Sequence, residues 1–251
     1  MMLRSTVLVA VVLLLTSCSS WLTRQSCKDI DWYQYGHSVA MKGRRLTGDT
    51  QVKKCKEAEF EVPYAQLDAG FKEGMNKYCQ PKVVYATGKE GEIFNPDLCD
   101  PGQARMLQEQ YQKGLDAYCA VENGYNVGAS GKKYANVCPQ KSEAAFMKEY
   151  RRGRKAYLSG KITEADSNMI GIERQILDLE RERNNISWRL NAIPPAYKAA
   201  KPEDDPNRFE RDRLSSDLSG TESKIRRKQD EKADLLRAKG EYQAELATLQ
   251  D

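Results

Sequence analysis

The chain has 251 residues, of which 30% are charged and 40% hydrophobic, and its formal net charge of +4 comes from 40 basic and 36 acidic side chains. Acidic and basic residues are interspersed, which indicates a solvated surface and excludes the clustered positive charge of a nucleic-acid-binding protein. Aromatic residues and cysteines concentrate in the first half of the chain, so we expect the main hydrophobic core there.

The amino-terminal segment resembles a bacterial lipoprotein signal. Arg4 precedes an apolar run from Thr6 to Leu15, and Thr16-Ser17 leads directly into Cys18. A membrane-spanning anchor needs about 20 apolar residues, roughly twice the length of this run. We therefore expect residues 1–17 to be a signal peptide and Cys18 to carry palmitate or similar acyl chains. A signal peptide that is cleaved without lipidation is the alternative.

The residue after Cys18 bears on the location of the protein. Bacterial lipoproteins that begin Cys-Ser are usually sorted to the outer membrane, and Ser19 follows Cys18 here. Two or three acyl chains give stable attachment, whereas one chain is only marginal. We expect a lipid-anchored protein of the bacterial outer membrane whose body faces the periplasm.

The six other cysteines indicate disulfides, because an even number of cysteines in an exported chain is typical of a disulfide framework. A zinc site is disfavoured, since the chain has no CxxC pair and His37 is its only histidine. We therefore expect no metal and no cofactor.

The cysteine pairing follows from a predicted helix of about 17 residues between Cys99 and Cys119. Such a helix separates their Cα atoms by on the order of 25 Å, whereas a disulfide needs less than about 7 Å. We predict that two bridges each close a glycine-rich loop and that the third closes around the first helix: Cys79–Cys99, Cys119–Cys138 and Cys27–Cys55.

A glycine motif recurs at intervals of about 38 to 40 residues, in four copies: Tyr33-x2-Gly36, Phe71-x2-Gly74-x3-Tyr78, Tyr111-x2-Gly114-x3-Tyr118 and Tyr150-x2-Gly153-x3-Tyr157. Such a period is typical of repeated supersecondary units, and the spacing places each motif on one helix face. Glycine costs about 1 kcal/mol inside a helix, so its recurrence favours close packing of a neighbouring helix over ligand contact.

The segments after the second and third copies match each other at successive offsets, which indicates an internal duplication. Each presents two aromatic residues beside glycines, and exposed aromatic rings suit contact with a glycan or a peptide. Packing of these rings between loops and helices is the alternative. The candidate binding residues are Tyr85, Phe94, Tyr125 and Tyr134.

A larger residue pattern runs from Asp31-Trp32 and Gly36 through Tyr111-x2-Gly114-Leu115-x2-Tyr118-Cys119, Gly124, Gly128, Gly131, Tyr134 and Cys138-Pro139 to Tyr150-x2-Gly153. Together with the lipoprotein cysteine, it resembles a bacterial lipoprotein family known only as a domain of unknown function (DUF2799). The resemblance covers about residues 18–160 and implies a location and a fold, but no reaction.

The carboxyl-terminal part predicts two long helices with apolar seams. The first seam follows 3,4 spacing from Met169 to Ile193 and ends at Pro194-Pro195. The second helix starts near Arg208, and its seam has lysines in the middle, which weaken self-association or mark contact with a partner. An antiparallel hairpin with a proline-rich turn at 194–207 is favoured, and a parallel oligomeric coiled coil is the alternative.

The chain is therefore predicted to be all-α: a disulfide-stapled array of about four repeated helices over 18–160, then a helical hairpin over 161–251. No catalytic motif is recognisable, so we expect no catalytic residues and no enzymatic activity. We expect a structural or adaptor lipoprotein that contacts the membrane through its lipid and an envelope protein through the hairpin. A periplasmic glycan- or peptide-binding module is the alternative.

Overall fold

The computed structural model of the protein describes residues 22–194 and 205–249. Cys18, the signal segment and most of the proline-rich turn lie outside the described residues. Within the described ranges the chain is helical and contains no strand, as the sequence predicts. None of the helices found there has both the length and the apolar character needed to span a membrane.

Nine α-helices lie within the described part of the chain. A short helix covers residues 22–28 (α1), and a 3-10 turn at Pro96–Leu98 lies between α5 and α6. The other helices are α2 Trp32–Met41, α3 Thr50–Glu57, α4 Tyr64–Tyr78, α5 Pro81–Lys89, α6 Ala104–Tyr118, α7 Val121–Ala129, α8 Gln140–Ala192 and α9 Arg208–Thr248.

The chain divides into two compact units. The first runs up to Gly124 and also includes Lys133–Lys148, and the second comprises Tyr125–Lys132 and the chain from Glu149 onward. The change in composition near residue 160, where the sequence predicts a domain boundary, falls inside α8. No break occurs there, because α8 is continuous from Gln140 to Ala192.

The amino-terminal core of the first unit forms around the disulfide Cys27–Cys55. Both cysteines are fully buried, and they pack with Trp32 and Leu67 in one apolar cluster. The Trp32 indole Nε1 donates a hydrogen bond to the Cys27 carbonyl at 3.2 Å, and its ring stacks on Phe60 at 6.0 Å. The indole therefore buries its apolar surface without leaving its N–H unpaired.

Side-chain caps define where the first helices begin. Asp31 accepts a hydrogen bond from the Gln34 amide at the start of α2. Asp49 accepts hydrogen bonds from the Gln51 and Val52 amides at the start of α3, both at 3.0 Å. These bonds satisfy amide groups that have no partner within the first turn of a helix.

The six cysteines among the described residues form three disulfides, in the pairing that the sequence predicts. The Cα–Cα distances are 5.9 Å for Cys27–Cys55, 5.6 Å for Cys79–Cys99 and 5.7 Å for Cys119–Cys138. All three lie in the ordinary range for a disulfide. Each bridge therefore closes a local segment of 19 to 28 residues.

The glycine motifs hold helices together in three crossed pairs: α2 with α4, α5 with α6, and α7 with α8. A Cβ built on Gly88 would lie 2.4 Å from the Tyr111 carbonyl oxygen, and one on Gly114 would lie 2.2 Å from the Tyr85 carbonyl oxygen. The other two crossings have the same reciprocal geometry, with distances of 1.9 to 2.1 Å, at Gly36 and Gly70 and at Gly128 and Gly153. Close approach of two backbones explains why glycine is tolerated in these helices.

This arrangement corrects two expectations. The four motif copies are not equivalent, because Tyr33-x2-Gly36 lies on the short helix of its pair and the other three copies lie on long helices. The segments expected as glycine-rich loops after Cys79 and Cys119 begin with the helices α5 and α7. Gly88 and Gly128 suggest loops, but each lies in a helix and faces the backbone of a partner helix. Gly91 and Gly131 follow these helices, have positive φ and face the rings of Tyr118 and Tyr157.

Candidate functional site

The second unit contains an antiparallel helical hairpin made by α8 and α9. Three ion pairs join the helices: Asp166–Lys239 at 2.5 Å, Glu173–Lys232 at 2.6 Å and Arg189–Glu210 at 3.8 Å. Residue numbers rise along α8 as they fall along α9, so the helices run in opposite directions. The antiparallel hairpin is thus confirmed over a parallel arrangement of the two seams.

The apolar seam of the hairpin is the one that the sequence predicts. Its most buried members are Ile172 and Ile186 on α8 and Leu214, Thr221 and Ile225 on α9. The buried Ala165 extends the α8 seam one position ahead of Met169, where the sequence pattern begins it. Lysines occupy the seam further along α9, and two of them, Lys232 and Lys239, pair with the α8 carboxylates described above. Their apolar stems cover the seam while their charges reach acidic partners at its edge.

A buried arginine joins the end of α9 to the start of this unit. Arg154 is 4% exposed, and its guanidinium binds both carboxylate oxygens of Glu245, at 2.6 Å and 3.0 Å. It also donates to the Gly131 carbonyl at 2.6 Å and lies over the Tyr157 ring. The hydrogen bond to Glu245 raises the pKa of Arg154, so this side chain stays charged.

The four aromatic residues predicted to bind a ligand differ in how far they are exposed. Phe94 is buried, with its ring 5.5 Å from Tyr78 and 5.6 Å from Tyr111, so its predicted surface contact is wrong and the packing alternative holds. Tyr134 is half-buried, and its hydroxyl accepts from the Cys138 amide and donates to Glu143.

Tyr85 and Tyr125 are more accessible, with 37% and 36% of their surfaces exposed. The Tyr125 ring is covered in part by the Arg152 guanidinium, 4.8 Å from its centroid. Each of these tyrosines also supplies the carbonyl that faces a glycine in a helix crossing. The backbone of both residues therefore has a structural role, and only part of each ring is open to a ligand.

Among the described residues, the most exposed aromatic rings lie near the turn of the hairpin, where the sequence predicts a partner contact but no particular binding residue. Trp188 on α8 is 73% exposed and Phe209 on α9 is 88% exposed. Trp188 follows the buried seam residue Ile186 by two positions, so it points away from the seam. Phe209 is the second residue of α9, two positions before Arg211, which binds Asp205 at 2.9 Å. The sequence signal for this site is a large apolar side chain at a helix position that faces away from the seam.

One side of the hairpin carries an apolar groove of about 500 Å³, lined in part by Leu177, Ala233 and Leu236. The two leucines are 53% and 59% exposed. The opposite side carries a larger groove of about 700 Å³ lined mainly by charged and polar groups, among them Glu182 and Arg189. The hairpin therefore has an apolar groove beside residues 173–177 and 229–236 and a polar groove beside residues 181–189 and 216–224.

The surroundings of His37 and the grouping of possible metal ligands complete the description of the candidate sites. His37 lies half-buried on α2, where its carbonyl faces Gly74 across the first helix pair. Across residues 22–194 and 205–249, no three histidine, cysteine or acidic side chains are grouped as a metal ion would require.

The family match begins at residue 31 and ends at residue 155, within α8. Residues 31–116 and 103–155 each match the family described as "Protein of unknown function (DUF2799)". The chain is 29% identical over 86 residues to "Uncharacterized protein YfiL" of Escherichia coli (strain K12), which is 34% of this chain and 67% of that protein. No solved structure matches the chain. The region from residue 31 to residue 155 belongs to the DUF2799 family, as its pattern of tyrosines, glycines and cysteines indicates.

Proposed function

We propose that this protein is a lipid-anchored component of the bacterial cell envelope with an adaptor role and no catalytic activity. In this proposal Cys18 carries the lipid, the chain is held at the outer membrane facing the periplasm, and the hairpin contacts a partner protein. Three disulfides support an oxidising compartment, where such bridges form and persist.

The observation that carries the adaptor role is the exposure of Trp188 and Phe209 near the hairpin turn. Tryptophan is among the residues that contribute most binding energy at protein interfaces, and aromatic residues are enriched there. Leaving two large rings in water is unfavourable by the hydrophobic effect, at about 25 cal/mol per Å² of apolar surface. Burial against a partner recovers that energy.

The partner can be captured in intact cells. A photoreactive phenylalanine analogue in place of Trp188 or Phe209 is expected to give a discrete crosslinked product. The same analogue at Asn168, an exposed polar position on the same helix, serves as the control and is expected to give none. Equal products from all three positions, or products from Asn168 alone, would contradict a contact at the hairpin turn.

The glycan- or peptide-binding alternative now depends on Tyr85 and Tyr125, because Phe94 is buried and Tyr134 is hydrogen-bonded within its loop. Replacing both accessible tyrosines with alanine separates the two proposals. The adaptor proposal predicts that the crosslinks at Trp188 survive this change, whereas the binding-module alternative predicts that partner capture is lost while the protein stays folded.

A further inference from the structure

We propose that the apolar side of the hairpin binds a second copy of the same chain, so that two hairpins form a four-helix bundle. This inference is independent of the lipid anchor and of the partner contact near Trp188. It rests on the placement of exposed apolar side chains and of two opposite charges along α8 and α9.

The exposed apolar residues form one stripe. Ile170 follows the seam residue Met169, and Leu177 follows Ile176 one heptad later, so both lie on the same flank of α8. Leu236 lies on the corresponding flank of α9, and it joins Leu177 and Ala233 in the single groove of about 500 Å³. Ile170, Leu177 and Leu236 are each more than 50% exposed, so the hairpin leaves apolar surface beside its own seam.

The opposite side of the hairpin has a different character. Its groove is lined by polar and charged side chains such as Glu182, Asn185, Asp217 and Lys224, which water can solvate. A helical pair with one apolar side can bury that side against one other pair. When both pairs present the same surface, a two-fold axis closes the assembly at two copies.

Charge complementarity selects a second copy as the occupant. Glu173 and Lys232 pair across the hairpin, so the neighbouring residues Arg174 and Asp230 lie within one helical turn of the same height. Arg174 precedes the seam residue Ile176 by two positions, and Asp230 precedes Lys232 by two, so both lie at the outer edges of the hairpin. Within one hairpin these outer edges face away from each other.

A two-fold axis parallel to the helices brings these edges together. It places α8 of one copy over α9 of the second copy, antiparallel, and keeps every residue at its height. Arg174 of each copy then faces Asp230 of the other, and the apolar stripes meet between the two ion pairs. In the other two-fold arrangement, with the axis across the helices, α8 lies over α8 and this pairing is absent.

The mass of the purified full chain, measured by light scattering with the contribution of detergent subtracted, tests the proposal. We expect a dimer that becomes a monomer when Leu177→Glu and Leu236→Glu are combined. Trp188→Glu places the same charge on a more exposed residue outside the stripe and is expected to leave the dimer intact. A chain that is monomeric, or a dimer that is insensitive to the paired leucine changes, would overturn the proposal.

If the leucine variants fail to fold, reversing the charges of Arg174 and Asp230 on the surface provides a second test of the dimer. Arg174→Asp and Asp230→Arg are each expected to raise the dimer dissociation constant roughly tenfold, because each ion pair occurs twice in a two-fold dimer. Combining the two changes restores complementary charge and is expected to return the constant to within about threefold of the original. Failure of the combined variant to recover would exclude the α8-over-α9 arrangement and with it the proposal.

Discussion

Arg154 and Glu245, 91 residues apart in the chain, form a two-pronged ion pair that fixes the last turns of α9 against α8. The arginine is almost fully buried, while 37% of the glutamate side chain is exposed. Because the guanidinium also binds the Gly131 carbonyl, the same residue holds the turn after α7. One side chain thus joins the segments at 125–132, 149–192 and 208–249 that form the second unit.

Removing the glutamate leaves a buried positive charge without its partner. We expect Glu245→Ala to lower the free energy of unfolding of this unit by about 2 kcal/mol, and Arg154→Met to cost less, because it removes the charge together with the pair. Amide hydrogen exchange in α9 between residues 240 and 248 measures the effect locally. If Glu245→Ala has no measurable effect on the free energy of unfolding when Arg154 is already methionine, the ion pair is the cause of the loss. An equal cost in both backgrounds would contradict it.

The glycine crossings make opposite predictions for two glycines in helices. Gly114→Ala would place a methyl group 2.2 Å from a backbone oxygen that cannot move freely, so we expect a loss of about 3 kcal/mol or more. Gly160 lies in α8 with open space around its Cα, so Gly160→Ala is expected to stabilise by about 0.5 to 1 kcal/mol. Urea denaturation followed by circular dichroism compares the two variants. Similar effects for both would show that the crossings are not as close as described.

The disulfide pairing predicts a pattern of non-additivity. Cys79→Ser and Cys99→Ser are each expected to lower the free energy of unfolding by about 3 kcal/mol, since either change opens the same segment. The double variant should be no worse than either single variant. Combining Cys79→Ser with Cys119→Ser opens two bridges and should therefore be additive in denaturant unfolding, which provides the control. Additive costs for Cys79 and Cys99 would contradict their pairing.

Two buried tyrosines predict how stability changes at high pH. Burial raises the pKa of Tyr78 and of Tyr111 above the ordinary value of 10.0, although the hydrogen bond that the Asn95 amide donates to the Tyr78 hydroxyl acts in the opposite direction. The unfolded chain therefore loses these protons at lower pH than the folded chain does. The contribution of the two tyrosines to the free energy of unfolding is fully present below about pH 10 and falls above it. Tyr111→Phe should flatten this decline in thermal unfolding between about pH 9 and pH 11. An unchanged slope would show that the hydroxyl contributes nothing.

The sequence predicts those parts of the fold that depend on local spacing. Cysteine pairing follows from the length of one helix, and the seams of α8 and α9 follow from a 3,4 repeat, so both could be derived without coordinates. The helices α5 and α7 could not, because glycine lowers helix propensity and the compensating backbone contact comes from a helix elsewhere in the chain.

The candidate sites show the same division. Phe94 and Tyr85 share a duplicated segment, yet one is buried between two tyrosine rings and the other is partly exposed. The difference depends on which neighbouring helix covers each ring, and spacing does not encode that. Arg154 could not be identified as buried, since its partner Glu245 lies in a different helix. The exposure of Trp188 and Phe209 could be predicted from the sequence. Both are apolar residues at helix positions that face away from the seam, and such positions are ordinarily polar.

Mass spectrometry of the amino-terminal peptide, taken from the protein as its native host makes it, tests the proposed anchoring most directly. The proposal predicts a mature chain that begins at Cys18 with two or three acyl chains, and loss of both the acyl mass and membrane attachment in Cys18→Ser. A native chain whose Cys18 is unmodified and preceded by residues 1–17, in a protein that remains in the cytoplasm with its cysteines reduced, would contradict the account.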